Sequence, residues 1–356
     1  MITAPKPRLR YFDMLKGVAI FLVVMGHVLT FCVREIDRAA IFKFIEQIHM
    51  PLFFFISGWF AVKLNENERL AVPKIMPRIV RLLLPMIVVS SLWVHYYPHS
   101  GLETPLVSTF EGLWTNGWKN GYWFTLVLFI IILIYAALTP LLNLCRKFIA
   151  DIIVAATAEG LLLFAYNAMP YATSEILSLS LIVTFFPIFM VGVIARKYHD
   201  GFMNIVHSSS WQTFAILVFA FTLYTCSWRW EFNLGPVQVI PVQILLHTSL
   251  VIIVLNVFEK WAEKAFAPNA KASNNRFARI WEYLGKQSLA IYMLHYFFLF
   301  PMGNFFRPML EAFNVSFVPL GVFSAFWACA IITTVLGMVK LLEPSKLLSL
   351  LLYGNK

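Results

Sequence analysis

Several side chains capable of acid–base chemistry stand inside long apolar runs. In the first run, RYFDMLKGVAIFLVVMGH, Lys16 and His27 are 11 positions apart. At about 100° per residue they share one face of a helix, about 16 Å apart along its axis. Asp13 precedes Lys16 by three residues and can pair with it. Because a neutral imidazole can remove a proton near pH 7, His27 is a candidate general base. Anchoring by Asp13 and Lys16, with simple packing of His27, is the alternative interpretation.

A basic pair opens the third apolar run, MPRIVRLLLP. Arg78 and Arg81 are three positions apart, which places both guanidinium groups on one face of an α-helix. Arginine forks can bind phosphate oxygens in a bidentate manner, so the pair is a candidate phosphate-binding site. The alternative is that both residues anchor the helix at a cytoplasmic membrane border.

Other ionisable or phenolic groups lie within further apolar runs. His49 opens HMPLFFFISGWF, and Tyr292 and His295 are three positions apart in YLGKQSLAIYMLHYFF. Glu159, within AATAEGLLLF, can orient an imidazole, bind a substrate hydroxyl or make a structural bond. A charge in hydrocarbon costs several kcal/mol or more, so each such group is a functional candidate. For His247 the sequence suggests no partner and favours a packing role.

The elements that carry these residues are predicted to be transmembrane helices. Of the 356 residues, 60% are apolar and 13% are charged, against about 45–50% and 25% in soluble proteins. A spanning helix needs about 20 mostly apolar residues. The sequence therefore predicts an all-α polytopic membrane protein with about ten spans, at 12–31, 45–63, 79–98, 122–143, 148–166, 178–197, 210–228, 236–257, 284–304 and 315–341.

The distribution of basic residues predicts the orientation. If the N-terminus is cytoplasmic, 22 of the 28 Lys and Arg residues fall in cytoplasmic connections and six in external ones. This asymmetry favours that topology, with both termini in the cytoplasm. The net charge of +10 is then explained by membrane topology, and nucleic acid is not an expected partner.

Five patterns in this order resemble the acyltransferase family 3 membrane proteins. They are the basic residue at Lys16 followed by His27, HMPLFFFISG at 49–58, Arg-x-x-Arg at 78–81, GYWF at 121–124 and LGKQSLAIYMLH at 284–295. The D-x-x-KG at 13–17 is most similar to the branch with fucose 4-O-acetylase-like proteins. Most members have Arg where this chain has Lys16, which keeps the charge but loses the fork.

The resemblance implies an integral membrane O-acyltransferase of the bacterial inner membrane, with one domain over 1–356 and no fused SGNH domain. The donor would be acyl-CoA, commonly acetyl-CoA, and the acceptor a hydroxyl of a sugar or glycan; no metal is expected. His27 would be the base, assisted by Asp13 and Glu159, and Lys16, Arg78 and Arg81 would bind the phosphates. His49, Tyr292 and His295 are candidates for binding the acceptor or the oxyanion. Direct transfer and an acyl-His27 intermediate both stay open, and a transporter or flippase of a glycan or lipid-linked intermediate is the alternative function.

Overall fold

The computed structural model describes residues 9–32, 39–64, 69–99, 108–144, 147–232, 236–267, 272–299 and 316–354. Within these ranges the chain is helical apart from short connections, and the only strand-like pairing is an isolated bridge between Leu64 and Leu70. The expected all-α polytopic fold is therefore confirmed.

The helices differ widely in length. The first half of the chain forms α1 Arg10–Cys32, α2 Ala40–Glu46, α3 His49–Ala61, α4 Met76–Tyr96, α5 Phe110–Thr115, α6 Trp123–Leu144, α7 Phe148–Ala168 and α8 Tyr171–Leu177. The second half forms α9 Leu179–Lys197, α10 His199–His207, α11 Ser209–Phe232, α12 Pro236–Ala265, α13 Ala272–Lys286, α14 Ser288–Phe298, α15 Phe317–Leu342 and α16 Lys346–Tyr353.

Eight of the ten predicted spans coincide with helical segments long and apolar enough to cross a membrane. Among the described residues these are α1, α2 with α3, α4, α6, α7, α9, α12 and α15. A ninth span is formed if α10 and α11, which meet at 80°, are taken together. Because lipid offers no hydrogen bonds to the backbone, long apolar runs satisfy their N–H and C=O groups as helices. The protein is thus a multi-pass membrane protein.

The predicted span 284–304 differs from the structure. The backbone breaks at Gln287 (φ −96°, ψ 7°), and α14 ends in a 3-10 turn over His295–Phe298. Its 11 residues rise about 16 Å, roughly half of the hydrocarbon thickness. Residues 300–304 lie outside the described ranges. The short helix therefore brings its polar side chains into the interior of the bundle rather than crossing the membrane alone.

The first helix lies at the centre of this bundle, packed against α3, α12, α13 and α15. Its crossing with α13 is unusually close. A Cβ atom at Gly17 would lie 2.1 Å from the Trp281 carbonyl oxygen, and one at Gly285 would lie 1.7 Å from that of Asp13. Only glycine permits this backbone approach, which sets α1 firmly against the segment that leads into α14.

One end of the bundle collects basic side chains. Contacts there link Trp59 to Phe12 and to Arg196, Lys197 to the Leu142 carbonyl, and Asn143 to Leu70. This basic end carries Arg10, Lys16, Lys63, Arg69, Lys74, Arg78, Arg81, Lys147, Arg196 and Lys197. The clustering agrees with the predicted charge asymmetry, whereas the orientation in the membrane stays a prediction.

Candidate active site

The imidazole of His27 belongs to a hydrogen-bonded chain that joins α1 to α14. Its Nδ1 lies 2.8 Å from Nε2 of His295, whose own Nδ1 lies 2.9 Å from the carbonyl oxygen of Ile291. The two rings are nearly parallel, with centroids 4.9 Å apart, and His295 is fully buried. The close crossing of α1 with α13 thus brings together two histidines 268 positions apart.

The carbonyl group at the end of this chain fixes the positions of the protons. A carbonyl oxygen only accepts, so Nδ1 of His295 carries a hydrogen, and Nε2 of the neutral ring is an acceptor. Nδ1 of His27 must then donate to His295, which leaves the lone pair of a neutral His27 on its Nε2. A base whose acceptor nitrogen is oriented by a second residue is the arrangement that general-base catalysis requires.

A tyrosine that was not identified from the sequence forms a hydrogen bond to this Nε2 atom. The hydroxyl of Tyr296 lies 2.9 Å from Nε2 of His27 and therefore donates to it. Gly121 makes the space for this hydroxyl: it has φ +92°, and a Cβ atom there would lie 1.7 Å from the tyrosine oxygen. A residue with a side chain at position 121 would displace the phenol.

Three hydrogen bonds tie the loop that holds Gly121 to α14. The hydroxyl of Tyr292 donates to the Gly121 carbonyl at 2.7 Å and accepts from the Phe124 N–H at 3.2 Å. The hydroxyl of Tyr122 donates to the Met293 carbonyl at 3.1 Å. Because the only O–H of Tyr292 is committed to a backbone carbonyl, the geometry gives this residue a positioning role and does not support its oxyanion role.

The two other oxyanion candidates are also constrained by backbone carbonyls. Both nitrogens of His295 are engaged, as described above. Nδ1 of His49 lies 2.6 Å from the Ile45 carbonyl oxygen, so it donates there. A neutral His49 then presents only an acceptor nitrogen to its surroundings. Neither ring therefore offers a spare N–H to an oxyanion in its neutral form, and His49 is better suited to accept from a hydroxyl.

The loop beside Gly121 is held in a left-handed conformation. Lys119 and Asn120 have φ values of 48° and 51°, which are costly for residues with side chains. The ammonium group of Lys119 is fully buried and donates to three carbonyl oxygens, those of Trp114, Asn116 and Glu175, at 2.7–3.0 Å. Burial lowers the pKa of Lys119 to about 8, although the nearby Glu175 charge acts in the opposite direction. These hydrogen bonds offset the free-energy cost of the left-handed backbone at Lys119 and Asn120.

His27 and Tyr296 line a cavity of about 690 Å³ at the end of the bundle opposite the basic end. Its wall combines polar groups with aromatic rings, a mixture found in small-molecule sites. Its polar and aromatic members include Gln47, His49, Asn116, Gln243, His247, Phe31, Trp118, Trp123 and Phe185. Lys43 and Glu46 on α2 add one charge of each sign.

The predicted ion pair lies near the start of α1. Nζ of Lys16 is 3.4 Å from a carboxylate oxygen of Asp13, which is buried. The same ammonium group lies 5.1 Å from the centre of the Phe60 ring. The structure thus places this pair at the basic end, roughly 16 Å along α1 from His27, and does not bring Asp13 to the imidazoles.

The predicted phosphate-binding pair also lies at the basic end, with Arg78 half-buried and Arg81 exposed. The expectation of an α-helical face is corrected here, because Ile79–Leu83 form a π-helical turn. Pro85 lacks the N–H that would bond to the Arg81 carbonyl in an α-helix, which accounts for widening at this point. The two guanidinium groups are therefore not related as an α-helical pair three positions apart.

The structure separates Glu159 from the other candidates. This carboxyl group is buried on α7, and neither oxygen has a hydrogen-bond partner among the described residues. It does not line the cavity that contains His27. The packing of α7 against α6 and α9 therefore does not place Glu159 where it could orient the imidazoles.

Sequence reasoning missed two residues of the cavity. Tyr296 follows His295 directly, and its position beside a candidate for binding the acceptor or the oxyanion was the available signal. His247 was interpreted as packing, but its ring lines the same cavity as His27. Within the ranges that the structure describes, no group of three His, Cys, Asp or Glu side chains has the geometry to hold a metal ion.

Comparisons with known proteins give one family match and one curated relative. Residues 9–334 match the family described as "Acyltransferase domain", acyltransferase family 3. The nodulation protein NolL of Sinorhizobium fredii (strain NBRC 101917 / NGR234) is 32% identical over 149 residues, which cover 39% of this chain and 38% of that protein. The chain thus aligns with well under half of that relative's length. No solved structure matches significantly.

Proposed function

The chain belongs to acyltransferase family 3, and from that premise we propose that it transfers an acetyl group from acetyl-CoA to a sugar hydroxyl. The acceptor is part of a cell-surface or secreted glycan, and the protein resides in a bacterial cytoplasmic membrane. The observation that carries this proposal is the fixed tautomer of His27, whose acceptor nitrogen lies at the wall of a cavity large enough for a sugar.

The proposed reaction is a direct transfer. The acceptor hydroxyl gives its proton to the oxygen of Tyr296, which passes its own proton to Nε2 of His27. The acceptor oxygen attacks the thioester carbonyl, a C–O bond forms and the C–S bond breaks. The coenzyme leaves as a thiolate and takes the proton from the His27 imidazolium. A positioned base of this kind contributes about 10²- to 10⁴-fold, or roughly 3–5 kcal/mol.

The basic end is the proposed donor side. Coenzyme A carries phosphates on a long flexible arm, and Arg78, Arg81 and Lys16 supply positive charge where that arm would begin. The arm must extend roughly 16 Å, the rise of α1 from Lys16 to His27, to bring the thioester to the cavity. With the basic end facing the cytoplasm, donor and acceptor reach the imidazole from opposite sides of the membrane.

The test is transfer of label from [¹⁴C]acetyl-CoA to a bacterial envelope glycan extract by the purified protein in nanodiscs. We expect label in the glycan with wild-type protein and at least a 10²-fold lower rate with His27→Ala. His207→Ala, which changes an exposed histidine on α10, is the matched control and should keep the wild-type rate.

Unchanged transfer by His27→Ala would refute the base assignment. If the wild-type protein consumes no acetyl-CoA but moves glycan or lipid-linked sugar across sealed vesicles, the alternative of a flippase replaces the proposal. Because nanodiscs support no gradient, transfer in them separates the two functions.

A further inference from the structure

The cavity that His27 and Tyr296 line also carries a pair of polar side chains on α12. Gln243 and His247 are four positions apart, so both face the same side of this helix, and both line the cavity. His27 reaches the same space from α1. Two helices that are far apart in sequence thus enclose the space in which an acceptor would react.

Neither side chain of this pair has a hydrogen-bond partner among the residues that the structure describes. His247 is only 3% exposed, yet no hydrogen bond to its ring nitrogens is found within the described part of the chain, and the same holds for the amide of Gln243. Burying a polar group without a hydrogen bond costs about 1–3 kcal/mol, so such groups generally have a partner. The burial penalty applies to His247, while Gln243 is half-buried beside it, and both polar groups are open to a molecule that enters the cavity.

We propose that Gln243 and His247 form the acceptor subsite, which binds hydroxyl groups of a neutral sugar and selects the hydroxyl that reaches His27. The selection of the reacting hydroxyl rests on the proposed function, whereas the binding of the sugar does not. A neutral imidazole has one donor and one acceptor, and an amide has both, which match sugar hydroxyls. An anionic acceptor would instead require cations, and the charges of the wall, Lys43 and Glu46, are of opposite sign.

Two further features of the wall fit the same ligand class. Nε2 of His49 is an acceptor, as its bond to Ile45 dictates, and can receive a third hydroxyl. The ring of Trp118 is 59% exposed and lines the cavity, where it offers an apolar surface for a sugar face. An apolar wall with a few fixed polar groups is the usual composition of a specific small-molecule site.

Binding is measured first, without catalysis. The probes are methyl glycosides of glucose, galactose, fucose and N-acetylglucosamine, with methyl glucuronide as the anionic comparator, detected by saturation-transfer NMR on protein in nanodiscs. We expect at least one neutral glycoside to bind and to lose about tenfold or more in affinity in each of His247→Leu and Gln243→Leu. Leu245→Ala, on an exposed position of α12, should bind as the wild type does.

Turnover then separates this subsite from the chemistry. Each Leu variant should raise the acceptor KM about tenfold or more, leave the acetyl-CoA KM unchanged and alter which hydroxyl of the product is acetylated. His247→Gln keeps one donor and one acceptor and should recover most of the affinity, which excludes misfolding as the cause.

The proposal is overturned if no neutral glycoside binds, if the glucuronide binds more tightly, or if both Leu variants keep the wild-type affinity. The proposed function fails independently, when wild-type protein binds the glycosides but consumes no acetyl-CoA. The two failures are therefore distinguishable in one set of samples.

Discussion

The close crossing of α1 with α13 predicts a large effect from the substitution Gly285→Ala. The new methyl group would lie 1.7 Å from the Asp13 carbonyl oxygen, whereas ordinary contact begins near 3.4 Å. The two helices must then separate by about 1.7 Å, a form of overpacking that costs roughly 1–3 kcal/mol. If the shift reaches the histidines, the 2.8 Å bond between His27 and His295 is lost as well. An unsatisfied buried group adds roughly 1–3 kcal/mol.

The consequence for activity follows from the tautomer. Without His295, Nδ1 of His27 has no fixed partner, and the ring can turn or carry its proton on the wrong nitrogen. We expect the acetyl-transfer rate to fall by at least about 10²-fold and the melting temperature in detergent to drop by several degrees. Gly337→Ala on α15, where a Cβ atom would meet nothing within 4 Å, is the matched control. Equal melting temperatures and rates in the two variants would refute the role of this crossing.

Three further predictions concern the relay, the donor and the buried lysine. Tyr296→Phe should lower kcat by about 10- to 10³-fold and reduce the solvent isotope effect, whereas Tyr283→Phe, at an exposed tyrosine, should change neither; a wild-type isotope effect in Tyr296→Phe argues against the relay. Arg78→Ala and Arg81→Ala should each raise the acetyl-CoA KM more than they lower kcat, and unaltered donor titrations would remove the phosphate role. Burial lowers the pKa of Lys119 from its ordinary value of 10.5 to about 8. Between these two pH values, Lys119 therefore binds fewer protons in the folded state than in the unfolded state. Wild-type stability, measured by thermal denaturation, should therefore rise relative to Lys119→Met between pH 8 and 10, and a pH-independent difference would contradict the buried charge.

The spans could be predicted because lipid leaves the backbone few choices. A run such as 122–143 must become a helix wherever it lies, and eight predicted runs did so. The break at Gln287 was not predicted, since the sequence indicates one helix over 284–304 that includes the polar residues at its start. The break follows directly after the close contact of Gly285 with α1, which is a tertiary contact and cannot be read from the local sequence. The 80° bend between α10 and α11 was not predicted either, because α10 falls in a connection between two predicted spans.

In the candidate site, the sequence could identify only residues whose type is rare in apolar runs. His27 stands out because an imidazole in an apolar run is rare, and the same argument selected Glu159, which the fold places elsewhere. Tyr296 did not stand out, since 16% of the chain is aromatic and a single tyrosine carries no pattern. Its role depends on the space left by Gly121, which comes from a loop 175 positions earlier.

The use of a second histidine to orient the proposed base has a physical reason in this setting. A carboxylate, the usual partner of a catalytic imidazole, would bring a net charge into the membrane interior, at a cost of several kcal/mol. His295 orients His27 equally well as a neutral group, because the Ile291 carbonyl fixes its tautomer. That carbonyl also accepts the backbone N–H of His295, so it uses both lone pairs. The Ile291 carbonyl, in the α-helical part of α14, thus provides the fixed acceptor from which the chain of hydrogen bonds is oriented, and no charged residue is needed beside the proposed base.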